Sequence, residues 1–231
     1  MHKKIGIIGG LSPESTVSYY LHITRSYVEK FGDYGYPEIV IYSVNLKKYH
    51  YWRSEGRWDL ITEDLVAAAN KLKVAGADFA LIATNTMHKV FNEVQLSASL
   101  PLIDLINATA KEVADKKVKT VALLGTKFTM SENFYRQRLE SHGLKVIVPS
   151  LADQEIIHRI IVDELVRGVF LQKSKAEYIS IIGQLLQQGA EGVILGCTEI
   201  PLLIKPEDCH FPVFDTAKIH AEEALLCAVN R

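Results

Sequence analysis

The sequence predicts an α/β protein built from two similar units, each a parallel sheet covered by helices on both faces. Three observations predict this class. Short apolar runs alternate with longer amphipathic ones along all 231 residues. The short runs are apolar at nearly every position, as strands buried on both faces must be. The second half of the chain also repeats the first in the same order.

The elements follow in turn. Residues 4–9 form an apolar run and are expected to be a buried strand; 15–30 is a helix and 38–43 a second strand. A helix over 58–75 is indicated by Leu65, Ala68, Ala69 and Leu72 at helical spacing. Residues 79–83 are a third strand, 87–94 a helix, 102–104 a short strand and 107–115 a helix. The order then restarts, with a strand at 120–124, a helix at 131–142 and a strand at 145–148. Helices at 154–166 and 175–188 precede a strand at 192–195. A short strand at 212–214 leads into a closing helix over 217–229. Alternation of this kind with continuously apolar strands gives parallel sheets.

The repeat is visible in three places. IGIIGG (5–10) returns as VALLGT (121–126), GADFALIATNT (76–86) as GAEGVILGCTE (189–199), and LPLID (100–104) as FPVFD (211–215). One such echo between apolar strands is unremarkable, but three in order at nearly constant spacing indicate an internal duplication. The expected lobes are residues 1–100 with 215–231, and residues 101–214. The last helix crosses back to pack on the first lobe. Two such lobes face each other across a pseudo-two-fold axis, with the active site in the cleft between them.

Ligands of open parallel sheets sit at the carboxyl ends of the strands. Residues 10–14, 84–86, 126–129 and 197–199 are therefore expected to line the cleft. Their small, hydroxyl, amide and thiol groups suit a small polar ligand.

Composition narrows the function classes. Twenty-six Lys and Arg against 27 Asp and Glu leave a net charge of −1, which offers no field for nucleic acid or an anionic membrane. The apolar run near the start is too short and glycine-rich for a signal segment, and no stretch is long enough to span a bilayer. A cytoplasmic location is expected. Cys197, Cys209 and Cys227 are an odd set without CxxC spacing, which argues against a disulfide framework and against a zinc site.

The duplication places Thr84 and Cys197 at equivalent positions. Racemisation without a cofactor needs such a pair: one group removes the α-proton from one face and another delivers a proton to the opposite face. A thiolate suits this work, because a thiol pKa near 8.5 can be lowered toward working pH by nearby donors. Thr198, the backbone amides after the strand and a following helix N-terminus are candidate donors. Cysteines beside apolar strands are ordinarily core residues, but the placement of Cys197 within Gly-Cys-Thr-Glu argues for function.

GIIGGLSPEST (6–16), ATNTMH (83–88), GCTEIPLLI (196–204) and FDTAKIHAE (214–222) together resemble the aspartate/glutamate racemase family, in order and over essentially the whole chain. The resemblance implies two Rossmann-like lobes, no cofactor, a small acidic amino acid as ligand and a homodimer. It also implies two catalytic cysteines, one before Asn-Thr in the first lobe and one before Thr-Glu in the second. Cys197 fills the second position and Thr84 stands in the first. Threonine has no pKa near neutrality and no base beside it in sequence, so chemistry begun at Cys197 should survive and chemistry begun at Thr84 should be crippled. TNTMHK and GCTEI also resemble a bacterial subgroup of broad-specificity or L-aspartate/L-glutamate-directed racemases.

The same resemblance gives Asn85 and Thr86 as holders of the α-carboxylate or amino group. It gives Thr126 and Thr129 as contacts in the second-lobe loop, and the repeat pairs Thr198 with them. Leu11 and Ser12 follow the glycine turn, where backbone N–H groups meet a carboxylate. Some relatives bind the side-chain carboxylate with an arginine in the loop after the second strand. In the loop over 47–53, Arg53 is the candidate, the alternative being a solvated loop charge. Tyr49, Tyr51 and Trp52 are expected as a lid or as dimer packing. A second cation of some relatives has no match before Gly168, where Val166 stands beside Arg167. His88 and His220 are expected to pack or cap, the alternative being that they tune a cysteine. Glu199 either orients the neighbours of the thiolate or pairs with a charge.

Three other readings compete. Dinucleotide binding lacks GxGxxG, and no GxxxxGK[ST] occurs. A decarboxylase of the same superfamily needs only one cysteine, which fits Thr84, but it also needs an apolar pocket. A catalytically weak amino-acid-binding protein is the third.

Overall fold

Strands such as β1 (Ile5–Gly9) and β7 (Gly192–Gly196) are buried at every position and have no solvent face. They must be covered from both sides, which the intervening helices accomplish. The computed structural model describes residues 2–230. From the start the order is β1, α1 (Pro13–Phe31), β2 (Ile39–Ser43), α2 (Leu46–Ser54), α3 (Trp58–Val74) and β3 (Phe79–Ile82). A 3-10 turn (Thr86–Val90), α4 (Phe91–Ser97), β4 (Leu102–Ile103) and α5 (Leu105–Asp115) follow. Next come β5 (Thr120–Gly125), α6 (Lys127–Ser131), α7 (Asn133–Ser141), β6 (Lys145–Ile147), α8 (Leu151–Asp163), a 3-10 turn (Leu165–Arg167) and α9 (Gln172–Gln187). After β7 come α10 (Ile200–Leu203), a 3-10 turn (Pro206–Asp208), β8 (Val213–Asp215) and α11 (Thr216–Val229).

Two four-stranded sheets result, ordered β2-β1-β3-β4 and β6-β5-β7-β8. Every pairing in both is parallel. The class is the α/β arrangement that the sequence predicts. The identical strand order is what duplication of one unit would leave.

The chain divides into two compact units, one running up to Ala108 and resuming at Ala217, the other from Thr109 to Thr216. The division expected after residue 100 would cut β4 from β3, to which Leu102 and Ile103 are paired through Ala80 and Leu81. The boundary lies within α5 instead. In the first unit one core joins α3 to a face of the sheet through Leu65, Ala69, Leu72, Ile8 and Ile82. The other joins α1 and α11 to the opposite face, through Tyr19, Ile23, Ala221, Leu225, Ile5 and Leu81. In the second unit a large core includes Tyr178, Ile181 and Leu195.

Residues 46–54 are helical rather than a loop. Asn45 caps this helix by accepting from the Lys47 N–H, and Tyr49 turns into the core with Trp52 against it. Tyr51 is exposed. Lys48 pairs with Asp64 at 2.7 Å and lies over Trp52, and Tyr49 donates to the same carboxylate. Tyr49 is thus fixed in the fold rather than part of a lid.

Candidate active site

In each sheet the chain leaves the first strand toward one edge and returns to the other side of it, so β1/β3 and β5/β7 are topological switch points. Parallel sheets bind ligands just beyond the strand ends at such points. The four connections there, two in each unit, hold the candidate residues other than Arg53.

In the first unit, β1 ends in a turn that only glycine can make. Gly10 has φ +76°, and a Cβ there would lie 2.4 Å from the Val44 carbonyl oxygen. Its N–H donates to Thr16 Oγ1, and the Thr16 hydroxyl donates to the Ser12 carbonyl, both at 2.8 Å. Ser12 is the N-cap of α1, accepting from the Ser15 N–H at 3.1 Å. The Leu11 side chain is buried in the core of the first unit. Ser15 Oγ donates to the Ala83 carbonyl at 2.8 Å, fastening α1 to the end of β3. Sequence reasoning missed this link, since a serine in the first helical turn has many ordinary uses.

Thr84 follows β3 and is partly exposed. Its carbonyl accepts from His88 Nδ1 at 2.8 Å. The Leu105 N–H donates to His88 Nε2 at 3.2 Å, so the imidazole proton resides on Nδ1. The Thr84 hydroxyl has no hydrogen-bond partner among the described residues. Among the described residues no basic side chain is hydrogen-bonded to it. Asn85 and Thr86 are buried beside it.

His220 of α11 stands edge-on to His88, with ring centroids 5.7 Å apart. Its Nε2 lies 2.9 Å from the Ile103 carbonyl and must donate to it, leaving Nδ1 to accept from the Tyr19 hydroxyl at 2.9 Å. Burial holds its pKa down to about 4, so the ring is neutral. Both histidines pack and support the Thr84 turn from behind.

In the second unit, Gly125 and Gly196 face each other across β5 and β7. A Cβ on either would press on backbone oxygen at 2.9 Å, so the strand ends approach closely only because both are glycine. Thr126 caps α6, and its hydroxyl lies 3.1 Å from that of Thr129. Thr129 is fully buried and packs over the glycine pair.

Cys197 follows Gly196 in a turn leading to α10 and is 8% exposed. Its thiol donates to Glu199 Oε2 at 3.0 Å, and the Thr198 hydroxyl donates to the same oxygen at 2.9 Å. Burial pushes the Cys197 pKa well up, and the Glu199 carboxylate pushes it further. The Thr198 and Glu199 backbone N–H groups act in the opposite direction but do not win. Nearby donors were expected to lower this pKa; the resting group is instead a thiol. Burial is the larger cause and the carboxylate the second, and a Cys-Thr-Glu string does not by itself reveal the direct hold of that carboxylate on sulfur.

Arg53 lies in the last turn of α2, half-buried, with no carboxylate within ion-pair distance among the described residues. Desolvation lowers its pKa, although a guanidinium stays charged. Among the described residues no group of three or more His, Cys, Asp or Glu could hold a metal ion.

A model of the Asp/Glu/hydantoin racemase family matches residues 8–224. The chain belongs to that family. An aspartate racemase homologue from Pyrococcus horikoshii OT3 is 44% identical to this racemase, with a TM-score of 0.86 over 96% of this chain and 97% of that one. A crystal structure from Yersinia pestis, provisionally described as an Asp/Glu racemase, is 40% identical with a TM-score of 0.91 over the same shares. The broad-specificity amino-acid racemase RacX of Bacillus subtilis is 25% identical over 233 residues, 96% of each chain. The protein is thus an amino-acid racemase, an isomerase, by family.

Proposed function

We propose that this racemase interconverts the enantiomers of aspartate or glutamate without a cofactor, with Cys197 as one acid/base group and Thr84 in the opposing position. The observation that carries the reading is positional. Thr84 follows β3 and Cys197 follows β7, the same place in two sheets of the same strand order. A group beyond each switch point is what two-face proton transfer to one α-carbon needs.

The binding roles divide by chemistry. Asn85, Thr86, Thr126 and Thr198, with the backbone N–H groups of Leu11 and Ser12, hold the α-amino and α-carboxylate groups. Thr129 contributes by fixing Thr126. Arg53 takes the side-chain carboxylate through its two-donor fork. The two faces are unequal. Thr84 offers a hydroxyl that no base activates, so it serves best by holding a water or passing on a proton slowly, whereas Cys197 carries its own transferable proton.

Incubation with L- and D-aspartate and with L- and D-glutamate in deuterated water tests the proposal. Deuterium at Cα together with formation of the other enantiomer is expected, and Cys197→Ser should abolish both. Exchange left intact in Cys197→Ser would overturn the reading.

A further inference from the structure

The contact between Cys197 and Glu199 has a consequence for how the thiol gains and loses its proton. We propose that Glu199 is a positioning residue that receives the Cys197 proton: Oε2 accepts it from Sγ as the thiolate forms, while the Thr198 and Glu199 backbone N–H groups hold the charge on sulfur. The inference rests on Cys197 being an acid/base group.

Three observations support it. The Sγ–Oε2 distance of 3.0 Å permits direct transfer with no intervening group. The Thr198 hydroxyl donates to the same Oε2 and so fixes the carboxylate in this orientation. Both backbone N–H groups already act on Sγ in the sense that favours a thiolate. Acceptor, orienting group and anion holders therefore come from the two residues that follow Cys197, in one turn.

Each step balances. The S–H bond breaks and leaves its electron pair on sulfur, and an O–H bond forms on Oε2. One negative charge moves from carboxylate to thiolate, and the pair's net charge is unchanged. The thiolate then takes the α-proton, re-forming S–H, and the Cα–H electron pair passes into the substrate as an enediolate. Glu199 is left neutral, and its proton exchanges with solvent. Without such an acceptor, a nearly enclosed thiol would have to release its proton directly to water.

The ionisable groups acting on Sγ are few. Glu199 acts from its own turn, and Tyr178 of α9 faces it across the core, with Glu164 acting in turn on Tyr178. Among the described residues no cation acts on Sγ. Glu199 is therefore the group whose removal should change the thiol most. A thiolate and a carboxylate in direct contact repel each other, so sulfur gives up its proton most easily when Oε2 takes it.

The test is thiolate absorbance near 240 nm against pH, read in the intact protein, in Glu199→Gln, in Glu199→Asp and in Cys197→Ser as the blank. Circular dichroism confirms the fold of each. The wild-type signal should rise only above the ordinary thiol range, and Glu199→Gln should bring its midpoint down by about one pH unit or more. In the same proteins, α-deuterium exchange at neutral pH should fall about tenfold or more in Glu199→Gln, mostly in kcat, and return in part in Glu199→Asp. An unchanged midpoint, or full exchange in Glu199→Gln, would overturn the role of Glu199. If Cys197→Ser still abolishes exchange in that case, the racemase reading stands without it. Exchange surviving Cys197→Ser would remove the reading itself.

Discussion

Arg53 is a half-buried cation with no carboxylate to answer it among the described residues. Such a charge is costly to keep unless something else pairs with it, and a substrate carboxylate is the natural partner. Arg53→Ala should raise KM for aspartate about 10- to 100-fold, the range expected for losing a charge-assisted hydrogen bond. Steady-state kinetics check this, and an unchanged KM would return Arg53 to a solvated role. Thr84 invites the reverse experiment. Thr84→Cys puts an ionisable group where none exists and should raise racemisation about tenfold or more, while the equilibrium constant stays at one by symmetry. His220 bears on stability. Its folded pKa of about 4 lies below the unfolded value of about 6.5, so the unfolded chain binds the extra proton first. Its contribution is complete above about pH 6.5 and is lost as pH falls toward 4, on the order of 3 kcal/mol in all. Urea unfolding between pH 4 and 7 should show this slope, and His220→Gln should flatten it. At this scale the equivalent placement of Cys197 and Thr84 beyond β7 and β3 was legible through the repeat. The sequence did not display the Glu199–thiol contact or the Ser15–Ala83 bond, which depend on side-chain direction rather than on spacing.

Among the elements, the Gly10 turn carries the sharpest constraint. Gly10→Ala meets both a positive φ and a backbone oxygen at 2.4 Å, and should cost about 2–4 kcal/mol as measured by denaturant unfolding. Most strands and long helices were legible because burial on two faces writes itself as an unbroken apolar run. Boundaries were less so. The helix expected at 131–142 is α7, starting at Asn133, and the short α6 before it, separated from it at Glu132 whose backbone is extended, was not foreseen. No glycine or proline marks that break. The helix expected at 154–166 begins earlier, at Leu151, where Ser150 accepts from the Asp153 N–H. That Ser-x-x-Asp start was a readable cap signal. The short α10 and the helical 46–54 segment escaped because brief or aromatic-rich helices show little periodicity.

At the level of the molecule, α11 is chain-terminal yet belongs to the first unit, where Ala217, Ala221, Ala224 and Leu225 enter the core beside β1 and β3. Small residues along one side let the helix lie close to the sheet. Truncation before Thr216 would uncover that face and remove His220 from behind the Thr84 turn, so loss of cooperative unfolding in the first unit is expected in a urea titration. The repeat made the two-unit plan legible, because identical strand order places equivalent residues at equivalent strand ends. The central claim is that those equivalent residues, Cys197 and Thr84, do unequal work. Because the equilibrium constant is one, the inequality cannot appear as a shifted end point. It must appear in the ratio of α-deuterium exchange with retention to exchange with inversion, measured for each aspartate enantiomer in deuterated water. For the enantiomer whose α-hydrogen faces Cys197, retention should outrun inversion by about tenfold or more. For the other, deuterium should appear almost wholly in the inverted product. Equal ratios for the two enantiomers would contradict the account.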